Sequence, residues 1–439
     1  MEPAPKKHNA SKLASEDIIS KMPEDVIVNI MDRLPIQYAI RTSILSRKWR
    51  FKWTLLSQVV FDVFFCEYLK GLGGENWYDA NNINRILFHL KGSITKFDFL
   101  IPYGKVLDVT EIDHWMILLS RKGIKEFNLL NIHVTPLTLS SYLFSCVKLE
   151  HLMLYNCSLN PTPTFCGFPY LLHLIFYDVK FVNGNFGEYI SQCPLLEFVK
   201  VVYFNGDPPI GKIKMIEIAK LKKLKCLIFP LCMLDSTALT TSVVFDLVGH
   251  FSKLQELSLD LHKCKLIDLA FYVPCFSKFV RESGVGKWVR TSLSCLRTLR
   301  LLAVDFGSDI MLSFAIDMIW GSPELQKLYI IPAYNAAIQS PPPPAFCASD
   351  FNHISMGQLR LRSIAFTYFR GSKNDIWLMK NLLACSRLLK EILIYPCLSL
   401  TTYLSDDEKS MFATKLLDLH RSSSSAAERN IIWDGHSEY

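Results

Sequence analysis

Cysteine offers the most reactive chemistry in this chain of 439 residues, with 13 copies scattered from Cys66 to Cys397. Metal centres and redox pairs need paired spacing. No C-x-x-C or H-x-x-x-H pair accompanies Cys157, Cys166 or His173, the three residues that first suggest a ligand set. Phosphate-cradling and nucleophile motifs are missing too: there is no G-x-x-x-x-G-K-[ST] loop, G-x-S-x-G elbow, G-x-G-x-x-G turn or H-E-x-x-H helix. No loop-borne cysteine has an evident histidine partner. The reading is therefore of a chain with no catalytic residues, no metal and no cofactor, whose chemistry is binding. One segment supports this: residues 41–52 carry Arg41, Arg47, Lys48, Arg50 and Lys52 with no acid among them. A basic rim of this kind steers association with an acidic partner, although the same residues would suit a solvated helix or a nucleic-acid contact.

The elements that position these residues are bounded by composition. Half of the chain is hydrophobic (50%) and only 20% is charged, with a net charge of +7. That excludes a wholly disordered, collagen-like or coiled-coil chain and does not argue for direct nucleic-acid binding. Residues 1–20 hold no apolar core of a secretory signal, and no run of eighteen apolar residues suggests a membrane span. The expectation is a soluble, intracellular, multi-domain protein of the nucleus and/or cytoplasm whose thiols are reduced and largely buried.

Residues 1–17 are polar and include Lys6-Lys7. From Ile18 to Asp62 the pattern predicts three helices. Pro23 with Glu24 and Asp25 opens the first, Val26, Ile27, Ile30, Met31 and Leu34 recur at helical spacing, and Pro35 stops it. A second helix is expected over about 36–43 and a third from Leu45-Ser46 through Trp49 to Trp53. So small a unit holds little core, so its apolar residues imply a partner.

A different periodicity follows a break at Gly71-Leu72-Gly73-Gly74. The pattern L-x-x-L-x-L, with Ile, Phe or Val allowed, starts at residues 94, 124, 149, 171, 213, 224, 254, 296, 325, 361 and 389, and a degenerate copy is read at Leu195-Phe198. Most starts lie 22 to 42 residues apart. Each unit predicts a short strand that must stack on its neighbours to bury its apolar side. Cys157, Cys232 and Cys397 fall at the repeat's N/C offset, where a cysteine is a small residue turned into the core. By period-two alternation His151, Met153 and Tyr155 face outward in one copy, His173, Ile175 and Tyr177 in the next, and Glu197, Val199 and Val201 in the third. Met153, Tyr155, Ile175, Tyr177 and Val199 thus form an expected docking patch for an unidentified protein.

Residues 22–50, MPEDVIVNIMDRLPIQYAIRTSILSRKWR, resemble an F-box, in particular the plant form with its RTS-x-LS-x-x-W third helix; Met22 stands where the family usually has Leu. The units that follow are similar to plant leucine-rich repeats of the F-box class, including a lead-in at Cys193-Pro194-Leu195-Leu196-Glu197. Residues 358–395 resemble the FBD module, marked by Phe369, Gly371, a helix over 376–384 and Leu388-Leu389-Lys390-Glu391 before a final strand. The expected fold is α/β: an N-terminal three-helix F-box, an irregular horseshoe-like leucine-rich-repeat solenoid and an FBD-like α/β cap. The expected division is a tail at 1–17, the F-box at 18–62, a linker at 63–90, repeats at 91–340, a Pro-rich loop at 341–354, the FBD-like module at 355–420 and a polar tail at 421–439.

The resemblance implies a non-catalytic substrate adaptor of a Skp–cullin–F-box (SCF) ubiquitin ligase. Met22, Pro23, Val26, Ile30, Leu34, Pro35, Leu45, Ser46, Arg47 and Trp49 would dock a Skp-family adaptor and, through it, the cullin/RING core. Trp49 would equally fill the unit's own core. Two other functions stay open on the residues alone: an interaction scaffold outside any ligase, and a small-ligand sensor using the repeats.

Overall fold

The computed structural model describes residues 22–72, 78, 80–105, 107–162, 164–182, 186–204, 213–234, 240–262, 264, 266, 293–333, 359–369, 373–396, 414 and 430–433. Lys6-Lys7, Gly371, Pro341–Pro344, Cys397 and Ser422–Ser425 lie outside the described residues.

The chain opens with α1 (Glu24–Met31) and α2 (Ile36–Arg41). Pro23 and Pro35 occupy the caps before them, at φ -57 and -51. Both prolines start helices, since the fixed φ suits the first turn and the missing N–H is not needed there. The expected third α-helix does not form. Residues 42–44 and 52–55 are single 3-10 turns, and between them Trp49 N donates to Ser46 O and Lys52 N to Trp49 O, both at 3.1 Å. Hydroxyls compete for the carbonyls a helix would use. Thr42 Oγ1 donates to Ala39 O and Thr54 Oγ1 to Phe51 O, both at 2.7 Å.

A strand, β1 (Gln58–Phe61), follows inside the segment read as F-box. It begins a thirteen-stranded sheet whose paired strands, named in chain order, are all parallel: β2 (Lys96–Ile101), β3 (Glu126–Asn131), β5 (His151–Tyr155), β7 (His173–Tyr177), β9 (Phe198–Val202), β10 (Cys226–Pro230), β11 (Glu256–Asp260), β12 (Thr298–Val304), β13 (Lys327–Pro332), β14 (Ser363–Phe369), β15 (Glu391–Pro396) and β16 (Asn430–Trp433). Each pairs with the next in this order, so neighbours in sequence are neighbours in space. The remaining strands, β4 (Leu137–Leu139), β6 (Cys157–Leu159) and β8 (Lys180–Phe181), form a second parallel sheet of three.

Parallel strands need a crossover, and here helices supply several of them. The segment expected as linker holds α3 (Val63–Gly71) and α4 (Ala80–His89). Then come α5 (Val109–Lys122), α6 (Phe186–Ser191), α7 (Met215–Ile218), α8 (Thr241–Gly249), α9 (Asp309–Trp320) and α10 (Lys373–Cys385). Their starts are written in short polar residues. Asp62, Asp108, Thr240 and Ser308 side chains accept from Phe65, Thr110, Val243 and Met311 backbone N–H, capping α3, α5, α8 and α9. Helix α5 ends at Gly123, whose φ of 80° would strain any residue with a Cβ.

The core lies between sheet and helices. One inward row runs Val59, Phe97, Phe127, Leu152, Leu174, Val199, Leu227, Leu257, Leu299, Leu328, Ile364 and Ile392 in unbroken register. Phe97 and Phe127 stack at 5.9 Å and 5°. Of the ten described cysteines seven are buried, Cys157 among them, whereas Cys166 and Cys295 are exposed.

Three local expectations are corrected. The copy read as Leu195-Phe198 is one residue out of phase: Leu196, Val199 and Val201 are buried, so Val199 belongs to the core. The copy starting at residue 213 is no strand; Met215–Ile218 is the short α7, with Ile216 exposed. Residues 430–433, read as polar tail, pair in parallel with β15.

Candidate functional site

The amino-terminal unit has one filled face and one open face. Ile27, Met31, Ile36, Ala39 and Trp49 are buried in the common core. With them inside, Pro23, Val26, Ile30, Pro35 and Leu45 stand exposed. Leu45 is 64% exposed, and the sequence reading missed Ile44 (85%), Phe51 (62%) and Tyr38, which are exposed in the same unit. Ile44 adjoins Leu45, and Tyr38 lies off the buried phase of α2, so both were legible in principle; Phe51 had no such signal. Leu34 is half-buried against the core, and Ser46 is half-buried in a turn with its hydroxyl enclosed and unbonded.

Trp49 does not reach the open face. At 5% exposure it is a core residue, turned inward by the turn that ends at Lys52. Its indole instead floors a cleft of about 360 Å³ with Met22 and Ile27, while Lys48, Lys52 and Glu24 form the rest of the wall. Lys52 Nζ closes one side on Glu24 Oε1 at 2.6 Å. Arg41, Arg47 and Arg50 are exposed, so cations border the apolar face.

The second candidate surface is the outer face of the sheet. Backbone register places Asn128, Met153, Ile175, Lys200 and Ile228 in one row and Leu130, Tyr155, Tyr177 and Val202 in another. Four of the five expected residues, Met153, Tyr155, Ile175 and Tyr177, are thus adjacent and half-buried on one face. Lys200 takes the place expected for Val199. Its ammonium lies 5.0 Å from the Tyr177 ring centroid. Phe204, exposed and unanticipated, stacks on Tyr177 at 5.9 Å and 8° and lies 6.3 Å from Tyr155. Asp178 Oδ1 accepts from Phe204 N at 2.9 Å and so fixes that ring over the tyrosines. The left-handed φ of Asp178, 50°, turns the chain there, a conformation aspartate tolerates better than most residues.

At the start of the same two strands, β5 and β7, and on the same face, His151 and His173 lie 5.5 Å apart, with Phe198 next to His173. Burial pushes the His151 pKa down, with Glu126 opposing that shift and His173 and Lys96 reinforcing it. Burial also acts to lower Lys96, but the bonds and charges of Glu126 and Asp98 outweigh it and hold the ammonium above its ordinary value. Among the described residues no three metal-binding side chains converge, and no helix is long and apolar enough to cross a membrane.

Comparison with known proteins finds matches in two parts of the chain. The F-box domain profile matches residues 19–58, and the profile described as "FBD-associated F-box protein At5g56370, LRR repeats" matches residues 112–330. Among curated relatives from Arabidopsis thaliana, the "F-box/FBD/LRR-repeat protein At1g13570" is 36% identical over 44% of this chain and 45% of its own length. The "Putative FBD-associated F-box protein At5g56690" is 26% identical over 42% and 46%, and the "Putative F-box/FBD/LRR-repeat protein At3g49030" 24% over 44% and 53%. The chain spans about half the length of these relatives. It belongs with the F-box proteins that carry FBD-associated leucine-rich repeats.

Proposed function

We propose that the chain is the substrate-recognition subunit of an SCF-type ubiquitin ligase acting in the nucleus and/or cytoplasm. In this reading the open face of residues 22–51 docks a Skp-family adaptor and, through it, the cullin/RING core. The strands behind form a horseshoe-like repeat solenoid completed by an FBD-like module at 355–420, and they hold a target protein. The chain would perform no chemistry itself and would act by raising the target's local concentration beside a ubiquitin-carrying enzyme.

The observation that carries the reading is the open apolar face: Val26, Ile30, Ile44, Leu45 and Phe51 are exposed on a unit whose interior is already filled. Contiguous apolar patches on a wet surface mark partner sites, and the basic rim of Arg41, Arg47 and Arg50 favours an acidic partner. For the target, Met153, Tyr155, Ile175 and Tyr177 with Phe204 supply aromatic anchors of the type that dominate interfaces. Mixing the purified chain with a purified Skp-family adaptor on a sizing column tests the docking. A stable complex is expected, and its absence for a folded chain would remove the ligase assignment. Tyr155→Ala with Tyr177→Ala should lower target capture and leave adaptor binding intact.

A further inference from the structure

Charge is handled in two ways along the rim where the chain enters the strands. Toward the amino-terminal half, Lys125 Nζ lies 2.7 Å from Glu150 and Lys225 Nζ 2.6 Å from Glu197, whose carboxyl the lysine bond holds below its usual range, while Lys148, Lys222, Lys223 and Lys253 are exposed and form no ion pair among the described residues. From β12 onward unpaired cations predominate and stand on successive strands. The segments 293–300, 321–329, 359–365 and 386–393, which enter β12 to β15, hold Arg297, Arg300, Lys327, Arg360, Arg362, Arg387 and Lys390 against Glu324 and Glu391. Arg360 is paired with Glu324 at 2.7 Å, and Arg300 with Glu256 at 2.6 Å. Arg297, Lys327, Arg362, Arg387 and Lys390 are exposed and form no ion pair among the described residues.

The backbone fixes how close these cations stand. Gln326 N donates to Arg297 O and Arg362 N to Gln326 O, both at 2.8 Å, and Lys390 N donates to Arg362 O at 2.9 Å. Neighbouring strands are about 4.8 Å apart, so Arg297, Arg362 and Lys390 fall within about 15 Å along one edge. Lys327 is in the adjoining row, between Thr298 and Ser363. Screening at physiological salt acts over about 8 Å and leaves neighbours in such a row repelling one another. An anion laid along the edge relieves that repulsion.

We infer that this edge docks an acidic, extended segment of a partner protein. Carboxylates at alternate residues of an extended chain recur about every 6.8 Å, within reach of the flexible Arg and Lys heads. Single-stranded nucleic acid binds by stacking on open aromatic rings, but the ring beside these cations, Tyr329, is already covered by the Arg300 guanidinium at 4.9 Å. A duplex calls for a broad basic field, and here the basic residues form a strip in a chain of net charge +7. The inference stands apart from the ligase reading, because it needs neither the amino-terminal unit nor an adaptor.

Fluorescence anisotropy on the full chain tests it. The probe is a labelled peptide of alternating Glu and Gly, about eight residues long so that it overspans four strands, with a Gln-for-Glu peptide and an oligothymidylate of similar length as competitors. The Glu peptide should bind, the Gln peptide should not compete, and affinity should fall about tenfold or more between about 0.1 M and 1 M salt. The combined R297Q, R362Q and K390Q variant should bind about tenfold more weakly at an unchanged melting temperature. Lys125→Gln, whose lysine is already paired with Glu150, should bind as the parent does. Should the triple variant fail to fold, R362E alone carries the same readout. No binding of the Glu peptide, undiminished binding by the variant, or tighter binding of the oligothymidylate through the same residues would each overturn the inference.

Discussion

Leu45 offers the sharpest test of the open face, because the residue is idle in the free chain and central to the proposed docking. At 64% exposure, Leu45→Asp removes little from the core and should move folding stability by no more than about 0.5 kcal/mol. Docking changes that accounting. Full burial of a leucine is worth about 1.5–3 kcal/mol, so covering the exposed two-thirds contributes about 1–2 kcal/mol. An aspartate enclosed without a partner adds about 1–3 kcal/mol of penalty. Together the variant should lose about 2–5 kcal/mol of docking free energy, a weakening of roughly thirty- to a few-thousand-fold. Isothermal titration of a Skp-family adaptor into the full chain reads this directly, with thermal melting alongside. Ala39→Asp is the counter-case: Ala39 is fully buried, so that variant should fail to fold rather than fail to dock. If L45D melts as the parent does and binds within threefold of it, the open face is not the docking face.

Other tests reach the sheet. Val199 is 1% exposed, so Val199→Asp should destabilise by about 3 kcal/mol or more, whereas Lys200→Asp loses a single cation–π contact and should shift stability by about 1 kcal/mol or less in a urea melt; equal effects would contradict the register. Burial pushes Cys66 and Cys193 up to about 11 and Cys146 and Cys226 up to about 12, so at pH 8 a thiol reagent should label Cys166 and Cys295 quickly and those four only on unfolding. Mass mapping of early adducts on a buried cysteine would refute the packing. His151, depressed by burial, stays neutral in the folded chain where the unfolded chain takes a proton, so its contribution to stability is present above about pH 6.5 and lost as pH falls through its lowered folded value. His151→Gln should flatten that part of the stability curve; an unchanged slope would assign the titration to other groups.

Much of the architecture was legible because its signal is periodic and local. The hexads locate β2, β3, β5, β7 and β10 through β15, since a strand with one apolar side must alternate whatever its neighbours do. The failures have physical causes. At residues 195–201 two overlapping apolar phases were available, and only pairing with β7 selects the one that buries Val199 and Val201. At 213–218 the hexad is present, but four residues close a helical turn with Glu217 bonding back to Lys214 N at 2.9 Å. Helix α5 carries every helical signal, with Asp108 as cap, Ile112, Trp115, Met116 and Leu119 on one buried face and Gly123 at the end, but these lie between two hexads and the strand repeat itself gives no hint of them. The outer face was half legible: alternation finds Tyr155 and Tyr177, but Phe204 lies beyond its strand and reaches them only through the turn at Asp178.

How the two candidate surfaces are joined decides what they can do together. A flexible linker would let a held target wander and dilute its effective concentration near any partner of the amino-terminal unit. The joint here is stiff. Asp32, at the end of α1, accepts from Ser57 N at 2.9 Å, Ser57 Oγ at 2.6 Å and Gln58 N at 3.3 Å, tying the first helix to the edge strand β1. Thr54 O accepts from Lys91 N at 2.7 Å, and Ser57 O from Thr95 N at 2.8 Å, so the same short stretch is also bonded to the approach of β2. Ile27 and Met31 share one core with Phe61 and Phe97. These bonds and this shared core couple the amino-terminal unit directly to the edge of the sheet that carries the aromatic trio around Tyr177. Replacing Asp32 by Ala should loosen this joint while leaving both surfaces chemically intact. Amide exchange at β1 would then quicken while exchange at β7 would not, because the lost bonds lie four strands away from β7.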